Sequence, residues 1–125
     1  MIDTHFTENH VWVRLEGDGT ATIGVSEYAQ EQLGDIVFID LPEVGAEASL
    51  GEEISLIESV KSTSDIFAPL TGVVTEVNDA LAERPEIIND SPLDDGWIFR
   101  VEIEDEQELE ELMDEESYEE FVETL

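Results

Sequence analysis

Short apolar segments, each ended by a turn residue, are the feature that most constrains the fold of this chain. Residues 10–25, "HVWVRLEGDGTATIGV", contain two alternating apolar runs on either side of a Gly-Asp-Gly turn, which predicts a β-hairpin. Further strands are predicted in "DIVFIDLP", which Pro42 stops, in "IFAPLTGVVTEVN" and in "WIFRVEI". The polar segment "RPEIINDSPLDDG" predicts a long loop. These patterns predict a mainly β core over about residues 10–104.

Helical signals are short and lie outside these strands. In "SEYAQEQLG", Ser26 can cap a short helix and Gly34 can end it in a left-handed turn. From residue 105 onwards, apolar residues recur at helical spacing, but the register breaks partway. Ser117 and Glu120 have the spacing of a capping box at that break. The pattern therefore predicts two short helices over about residues 105–125, covering the β core.

Acidic charge is spread along the whole chain, with 34 Asp and Glu against 4 Lys and Arg and a net charge of −30. Such a field repels nucleic acid and anionic membranes, and no apolar run approaches the ~18 residues of a membrane span. We therefore expect a cytoplasmic protein that binds neither nucleic acid nor membranes. Because the acids are not confined to one block, the composition favours adaptation to concentrated salt over a docking face for a basic partner.

Several classes of catalytic site are excluded by the residues that the chain lacks. It has no cysteine and only two histidines, so thiol chemistry, disulfides and thiolate zinc sites are excluded. The sequence has no Ser/His/Asp set, no phosphate-binding loop and no spacing typical of a calcium loop. We expect a protein that is not itself an enzyme and has no metal site.

Lys61 is the only lysine in the sequence, since the other three basic residues are arginines. It lies between a predicted inbound strand over residues 53–60 and a predicted outbound strand over about residues 65–68, where Ser62 and its small polar neighbours predict an exposed turn. The acidic neighbours Glu58 and Asp65 favour the charged ammonium, which argues against a nucleophilic, Schiff-base lysine. An exposed ion pair contributes only about 0–1 kcal/mol, too little to explain why this one lysine is kept. We interpret Lys61 as an attachment point whose amine is acylated.

The residues around Lys61 resemble the lipoyl-attachment region of the glycine cleavage H protein family. The shared features are a Glu three residues before the lysine, a Val directly before it, a following Ser-Asp and the Pro-x-x-Gly of "APLTG". The likeness extends to "WVRLEGDGTATIGVSEYAQEQLGDIVFIDLPEVG" and "INDSPLDDGWIFRV", so that it covers essentially residues 9–125. Biotin carriers typically flank their lysine with Met, and lipoyl domains of 2-oxoacid dehydrogenases usually have Asp before it. Neither pattern is present here.

This resemblance implies a lipoyl-domain-like, barrel-sandwich hybrid fold, a single carrier domain over residues 1–125, and lipoate in amide linkage to Lys61. The implied role is a carrier in glycine catabolism and one-carbon metabolism. Its implied partners are glycine decarboxylase (P protein), which loads an aminomethyl group, aminomethyltransferase (T protein), which removes it, and dihydrolipoamide dehydrogenase (L protein), which reoxidises the dithiol. A lipoate ligase or lipoyl synthase would install the cofactor. We expect a monomer.

The resemblance also implies a cleft that holds the lipoyl-lysine arm when the arm carries the aminomethyl group. Asp65 matches the family pattern and could pair with the amine carried by the arm, and Glu58 belongs to the turn motif. Relatives usually have Ser-His-Glu-Trp where this chain has Asn9, His10, Val11 and Trp12, and often have His where Gln32 stands. In relatives the Glu helps to hold the loaded arm, so its loss at Val11 predicts weaker shielding of the adduct. Val11→Glu is expected to restore that shielding.

Two other functions stay open on the sequence alone. The same fold could serve as a lipoyl donor or carrier for another lipoate-dependent complex, and the sequence does not separate this role from glycine cleavage. The chain could also be an unmodified acidic interaction module, which would require Lys61 to be dispensable.

Overall fold

The computed structural model describes residues 3–125 as two β-sheets with short helices. In chain order the strands are β1 (Asp3–Phe6), β2 (Val11–Leu15), β3 (Thr20–Val25), β4 (Ile36–Asp40), β5 (Glu47–Ala48), β6 (Glu53–Ser59), β7 (Thr63–Phe67), β8 (Gly72–Val77) and β9 (Phe99–Ile103). The larger sheet has the order β1-β2-β3-β9-β8-β5, and the smaller has the order β4-β6-β7. The predicted mainly β fold is confirmed.

The helices are short and leave the sheets as the main framework. They are α1 (Glu27–Leu33), α2 (Ala80–Glu83), α3 (Ile87–Asp90), a 3₁₀ helix (Glu106–Glu111) and α4 (Glu115–Glu123). The two predicted C-terminal helices are therefore present, the first of them as a 3₁₀ helix. Among residues 3–125, no helix is both long and apolar enough to cross a membrane.

Local turn and cap signals correctly predicted the β2–β3 hairpin and helix α1. Gly17 and Gly19 in the hairpin turn have φ values of 87° and 89°, a left-handed conformation that costs glycine little. Ser26 caps α1 by accepting a 3.2 Å hydrogen bond from the Ala29 backbone N–H. Gly34 ends the helix as predicted, but with φ 78° and ψ −151°, a positive-φ conformation that differs from the predicted left-handed turn.

Facing apolar side chains join the two sheets into one core. Val13 of β2 and Ile23 of β3 are register partners and are fully buried. Ile57 of β6 and Ile66 of β7 enter the same core from the smaller sheet. Each such side chain contributes about 1.5–3 kcal/mol by leaving water. The β6–β7 hairpin is consequently anchored at its base while its tip reaches solvent.

The predicted capping box at Ser117 is wrong. Helix α4 begins earlier, with Asp114 as its N-cap, and the Asp114 carboxylate accepts a 2.7 Å hydrogen bond from the Ser117 backbone N–H. That hydrogen bond lowers the pKa of Asp114 below its ordinary value. The apolar periodicity starts only at Tyr118 because the first turn of the helix faces solvent. Periodicity alone therefore placed the helix start about one turn too late.

The long loop predicted over "RPEIINDSPLDDG" is also wrong, because it contains helix α3. This single helical turn buries Ile88 completely in the core. A four-residue helix is too short to be stable by itself, so burial of Ile88 and not local propensity accounts for it. This helical turn also contains Asn89, whose side chain is hydrogen-bonded to the backbone of Gly34 and Ile36.

Helix α4 is held against the larger sheet by an aromatic cluster and a hydrogen-bonded hydroxyl. The ring of Tyr118 stacks on Phe6 at a centroid distance of 4.4 Å, and Trp12 belongs to the same buried cluster. The Tyr118 hydroxyl lies 2.7 Å from both His10 Nδ1 and Ser26 Oγ. Burial lowers the pKa of His10 and raises the pKa of Tyr118, so it favours the neutral form of both groups. His10 is thus a packing residue that joins the start of β2 to α4.

Candidate functional site

Lys61 lies at the tip of a tight turn that joins β6 to β7. Glu58 and Thr63 are the last register pair of the two antiparallel strands before the turn. The Ser59 backbone N–H donates to the Ser62 carbonyl at 2.8 Å and closes the turn. The predicted exposed turn between antiparallel strands is confirmed, and Lys61 itself is exposed.

The Ser59 side chain holds this turn in shape, a role that the sequence analysis missed. Its hydroxyl accepts hydrogen bonds from the backbone N–H groups of Lys61 and Ser62, at 3.2 Å and 3.1 Å. The same hydroxyl donates to the Ser62 carbonyl at 3.1 Å. A serine two residues before a turn tip is a known local signal for such bonding. The turn is therefore stiff in its backbone, although its lysine is exposed.

The Lys61 amine has no carboxylate within salt-bridge distance among residues 4–125, whereas all three arginines do. The paired arginines are Arg14, Arg84 and Arg100, each with a glutamate at 2.9–3.6 Å. Glu58 and Asp65 are exposed on the two strands that lead into and out of the turn. The amine is consequently accessible to a modifying enzyme.

The segment that follows helix α1 supports the lysine turn from one side. The Val60 backbone N–H donates a 3.0 Å hydrogen bond to the Asp35 carbonyl. The Lys61 stem passes over Gly34 so closely that a Cβ at that residue would lie 3.2 Å from Lys61 Cε. Gly34 therefore serves two purposes, because it ends α1 at positive φ and leaves room for the lysine. Gln32 is exposed on the last turn of α1, two residues before this contact.

Asn9 and Val11, the other residues predicted near the arm, belong to the larger sheet and one of its loops. Asn9 is exposed in the loop between β1 and β2 and lines a groove with Pro69 and residues of the 3₁₀ helix. In the described part of the chain, that groove does not include Lys61. Val11 is only 2% exposed and belongs to the main apolar core. Strand pairing thus places Glu58 and Asp65 on the hairpin that carries Lys61, and Gln32 lies on the last turn of α1, but the Val11 side chain points into the core.

We expect Val11→Glu to destabilise the protein by about 3–5 kcal/mol, because the new carboxylate would be buried without a partner. This differs from the expectation that a glutamate here would shield the loaded arm. Asn9→Glu is the matched control, since it adds the same charge at an exposed position and should change stability by at most about 0.5 kcal/mol. Denaturant unfolding measures both values. Native-like stability of Val11→Glu, together with slower hydrolysis of the aminomethyl adduct, would contradict this expectation.

Three large apolar side chains are exposed beside the lysine turn. Val37, Phe38 and Val60 are 53%, 47% and 66% exposed. A register shift between Ile36 and Phe38 turns two consecutive β4 residues outwards, where strict alternation would bury one of them. Phe38 is the register partner of Glu58 on β6. An apolar surface therefore adjoins Lys61 in a chain whose surface is otherwise strongly acidic.

Comparisons with known proteins give a consistent result over nearly the whole chain. The family model described as "Glycine cleavage H-protein" matches residues 4–125. The glycine cleavage system H protein of Vibrio cholerae is 58% identical over 113 residues, which cover 90% of each chain. That of Marinobacter nauticus is 53% identical over 120 residues, covering 96% of this chain and 92% of the relative. The crystal structure of a glycine cleavage system H protein from Mycobacterium marinum superimposes with a TM-score of 0.82 at 35% identity, covering 93% of each chain.

Proposed function

Because the chain belongs to the glycine cleavage H protein family, we propose that Lys61 is the residue that carries its lipoyl group. Proteins of this family are lipoyl carriers of the glycine cleavage system and not catalysts, and they hold lipoate covalently on a lysine. This chain contains one lysine. The observation that carries the proposal is the position of that lysine, exposed at the tip of a stiff turn and free of ion pairs among the described residues.

The turn suits a carrier that must serve several enzymes with one arm. The protein works with glycine decarboxylase, aminomethyltransferase and dihydrolipoamide dehydrogenase as its partners. Bound lipoate supplies a dithiolane that accepts the aminomethyl group. The buried Ile57 and Ile66 anchor the hairpin, and the Ser59 hydroxyl fixes its tip. A long arm on a fixed base samples a small volume, which raises its effective concentration at each active site.

The surroundings of the turn support two further parts of the proposal. A lipoate ligase or lipoyl synthase would have to contact the turn itself, and Val37, Phe38 and Val60 offer it an exposed apolar surface. The hydrogen bonds that close the turn lie within residues 59–62, so a single folded chain presents a complete turn, which supports a monomeric carrier.

Peptide mapping of the modified protein tests the assignment. After co-expression with a lipoate ligase in medium containing lipoate, we expect a single lipoyl group on nearly every chain, and fragmentation should place it on Lys61. Protein made without lipoate or ligase is the control and should show the unmodified mass. A lipoyl group on the N-terminal amine would contradict the assignment. An unmodified chain, under conditions in which the Vibrio cholerae relative is modified, would instead favour an acidic interaction module.

A further inference from the structure

Asn89, in the last turn of α3, uses its whole carboxamide group on the segment that supports the lysine turn. Its Oδ1 accepts a 2.9 Å hydrogen bond from the Ile36 backbone N–H. Its Nδ2 donates to the Gly34 carbonyl at 2.8 Å and to Gln30 Oε1 at 3.0 Å. A carboxamide has two N–H donors, and both are used here together with the acceptor oxygen. Exchanging its oxygen and nitrogen would set N–H against N–H and oxygen against oxygen, so the contacts fix its orientation.

The lysine turn is hydrogen-bonded to the segment formed by residues 34–36. Between the two backbone groups that Asn89 binds, the Asp35 carbonyl accepts the hydrogen bond from Val60. The first residue of the same segment, Gly34, lies beneath the Lys61 stem. Asn89 therefore holds both ends of a three-residue segment whose middle carbonyl accepts a hydrogen bond from the turn, and its own hydrogen bonds reach the turn through that segment.

Asn89 adds to a small number of backbone contacts in this segment, which are the Gly34 N–H bond to the Gln30 carbonyl at 3.0 Å and the pairing with residues 59 and 60. Gly34 adopts a positive φ and has access to more conformations than any other residue, so it does not resist reorientation. The register shift at the start of β4 interrupts the ladder just after Ile36. Without Asn89, the Ile36 N–H and the Gly34 carbonyl would lose the partners that define their positions. Reorientation of the segment would then carry the lysine turn with it.

We propose that Asn89 is a positioning residue for the lipoyl-lysine turn, acting through the 34–36 segment. The inference rests on the proposed function of Lys61. Its consequence is an increase in the fraction of molecules whose turn has the orientation that a lipoate ligase binds. When that fraction falls, the apparent affinity for the enzyme falls in proportion, but the bound complex reacts as before. Loss of Asn89 should therefore raise KM and leave kcat nearly unchanged.

Two variants and one matched control isolate this effect. Asn89→Asp is nearly isosteric and keeps the acceptor for the Ile36 N–H, but it removes both donors and sets a carboxylate against the Gly34 carbonyl. Asn89→Ala removes all three hydrogen bonds. Asn78→Ala is the control, because Asn78 Nδ2 also donates two hydrogen bonds of 2.8 Å, to the Asp95 and Trp97 carbonyls, and in the described part of the chain neither carbonyl is hydrogen-bonded to residues 34–36 or 59–62.

The measurements are steady-state lipoylation of each purified apoprotein by a lipoate ligase with lipoate and ATP, and amide hydrogen exchange at Val60. All proteins are assayed well below their unfolding temperatures, as checked by circular dichroism. We expect both Asn89 variants to raise KM by about 3–10-fold with kcat changed by less than about twofold. The Val60 amide should exchange faster in both variants. Asn78→Ala should be less stable but should keep the wild-type KM and the wild-type hydrogen-exchange rate of the Val60 amide.

Two outcomes would overturn the inference. One is a wild-type KM and wild-type Val60 exchange in both Asn89 variants. The other is an equal rise in KM for Asn78→Ala, which would mean that general loss of stability and not positioning is responsible. If Asn89→Ala does not fold, Asn89→Asp still decides between these outcomes, since it keeps the side-chain shape. Failure of the proposed function is distinguishable, because the wild-type chain would then carry no lipoyl group on Lys61.

Discussion

We expect Lys61→Arg to abolish glycine cleavage and to leave the folded structure intact. Arginine keeps the positive charge and nearly the length of lysine on an exposed turn, so stability should change by at most about 0.5 kcal/mol. Its guanidinium is always protonated and cannot form the lipoyl amide. Activity should be measured in a system reconstituted with glycine decarboxylase, aminomethyltransferase, dihydrolipoamide dehydrogenase and a lipoate ligase. We expect activity to fall to the level found without the carrier, and circular dichroism to be native.

A second variant tests whether lipoylation requires the turn or whether any exposed lysine is modified. Arg84 is exposed, with 69% of its side chain accessible, and lies on the loop between α2 and α3. Arg84→Lys in the wild-type background should leave one lipoyl group per chain. Combined with Lys61→Arg, it should leave none, although a lysine is available. Glycine cleavage by Lys61→Arg would disprove the attachment assignment, and a lipoyl group on the introduced lysine of the double variant would show that the turn does not select the lysine.

The parts of the site that could be predicted are those defined by neighbouring residues. Lys61 was identifiable because the composition leaves no other lysine, and its turn was predicted by the small polar residues after it. Ser59 could have been found by the same local logic, since its hydrogen bonds span two or three residues. Glu58 belongs to the last register pair before the turn, and Asp65 lies two pairs further along the same hairpin. Local sequence therefore predicted the turn and the strands on either side of it.

The support beneath the turn could not be predicted, because it depends on contacts between distant residues. Asn89 binds Gly34 across 55 positions of sequence, and its helical turn exists because Ile88 is buried. Strand β1 was missed for a different reason, since it pairs with the neighbouring strand β2 but, of its described side chains, only Phe6 is buried. No periodicity within either segment signals these pairings. Long-range contacts of this kind decide which short polar segments become ordered.

Val11 shows how a resemblance can assign a position without describing its surroundings. The family pattern indicated that this position faces the arm cleft. The alternation of β2 instead places Val11 on the same face as Val13, and both are buried in the main core. The period-two pattern of the strand contained this information, since "VWV" puts the two valines on one face and Trp12 on the other. In this chain the local pattern therefore describes position 11 better than the motif does.

The unfolding temperature should rise steeply between dilute buffer and molar salt, because the acidic charge is almost entirely exposed and unpaired. Among residues 4–125, every Asp and Glu residue is exposed except Glu108, which is half-buried and accepts two hydrogen bonds from Thr71. Only three arginine–glutamate pairs offset this charge in the described part of the chain. The Debye length falls from about 10 Å at 0.1 M salt to about 3 Å at 1 M, so mutual repulsion is screened.

The size of the rise follows from the repulsion that salt removes. For a domain of this length, each kcal/mol of stability shifts the unfolding temperature by roughly 3–6 °C, so several kcal/mol correspond to a rise on the order of 10–20 °C. Calorimetry in chloride salts measures it, because sulfate would also strengthen apolar burial. Helix α4 supplies the matched variant, since its last turn has no basic residue and ends at Glu123. Glu119→Gln with Glu120→Gln and Glu123→Gln should raise the unfolding temperature in dilute buffer and weaken its salt dependence. An unfolding temperature that stays flat from about 0.1 M to 1 M salt would mean that repulsion does not limit stability, and would favour a basic partner as the reason for the charge.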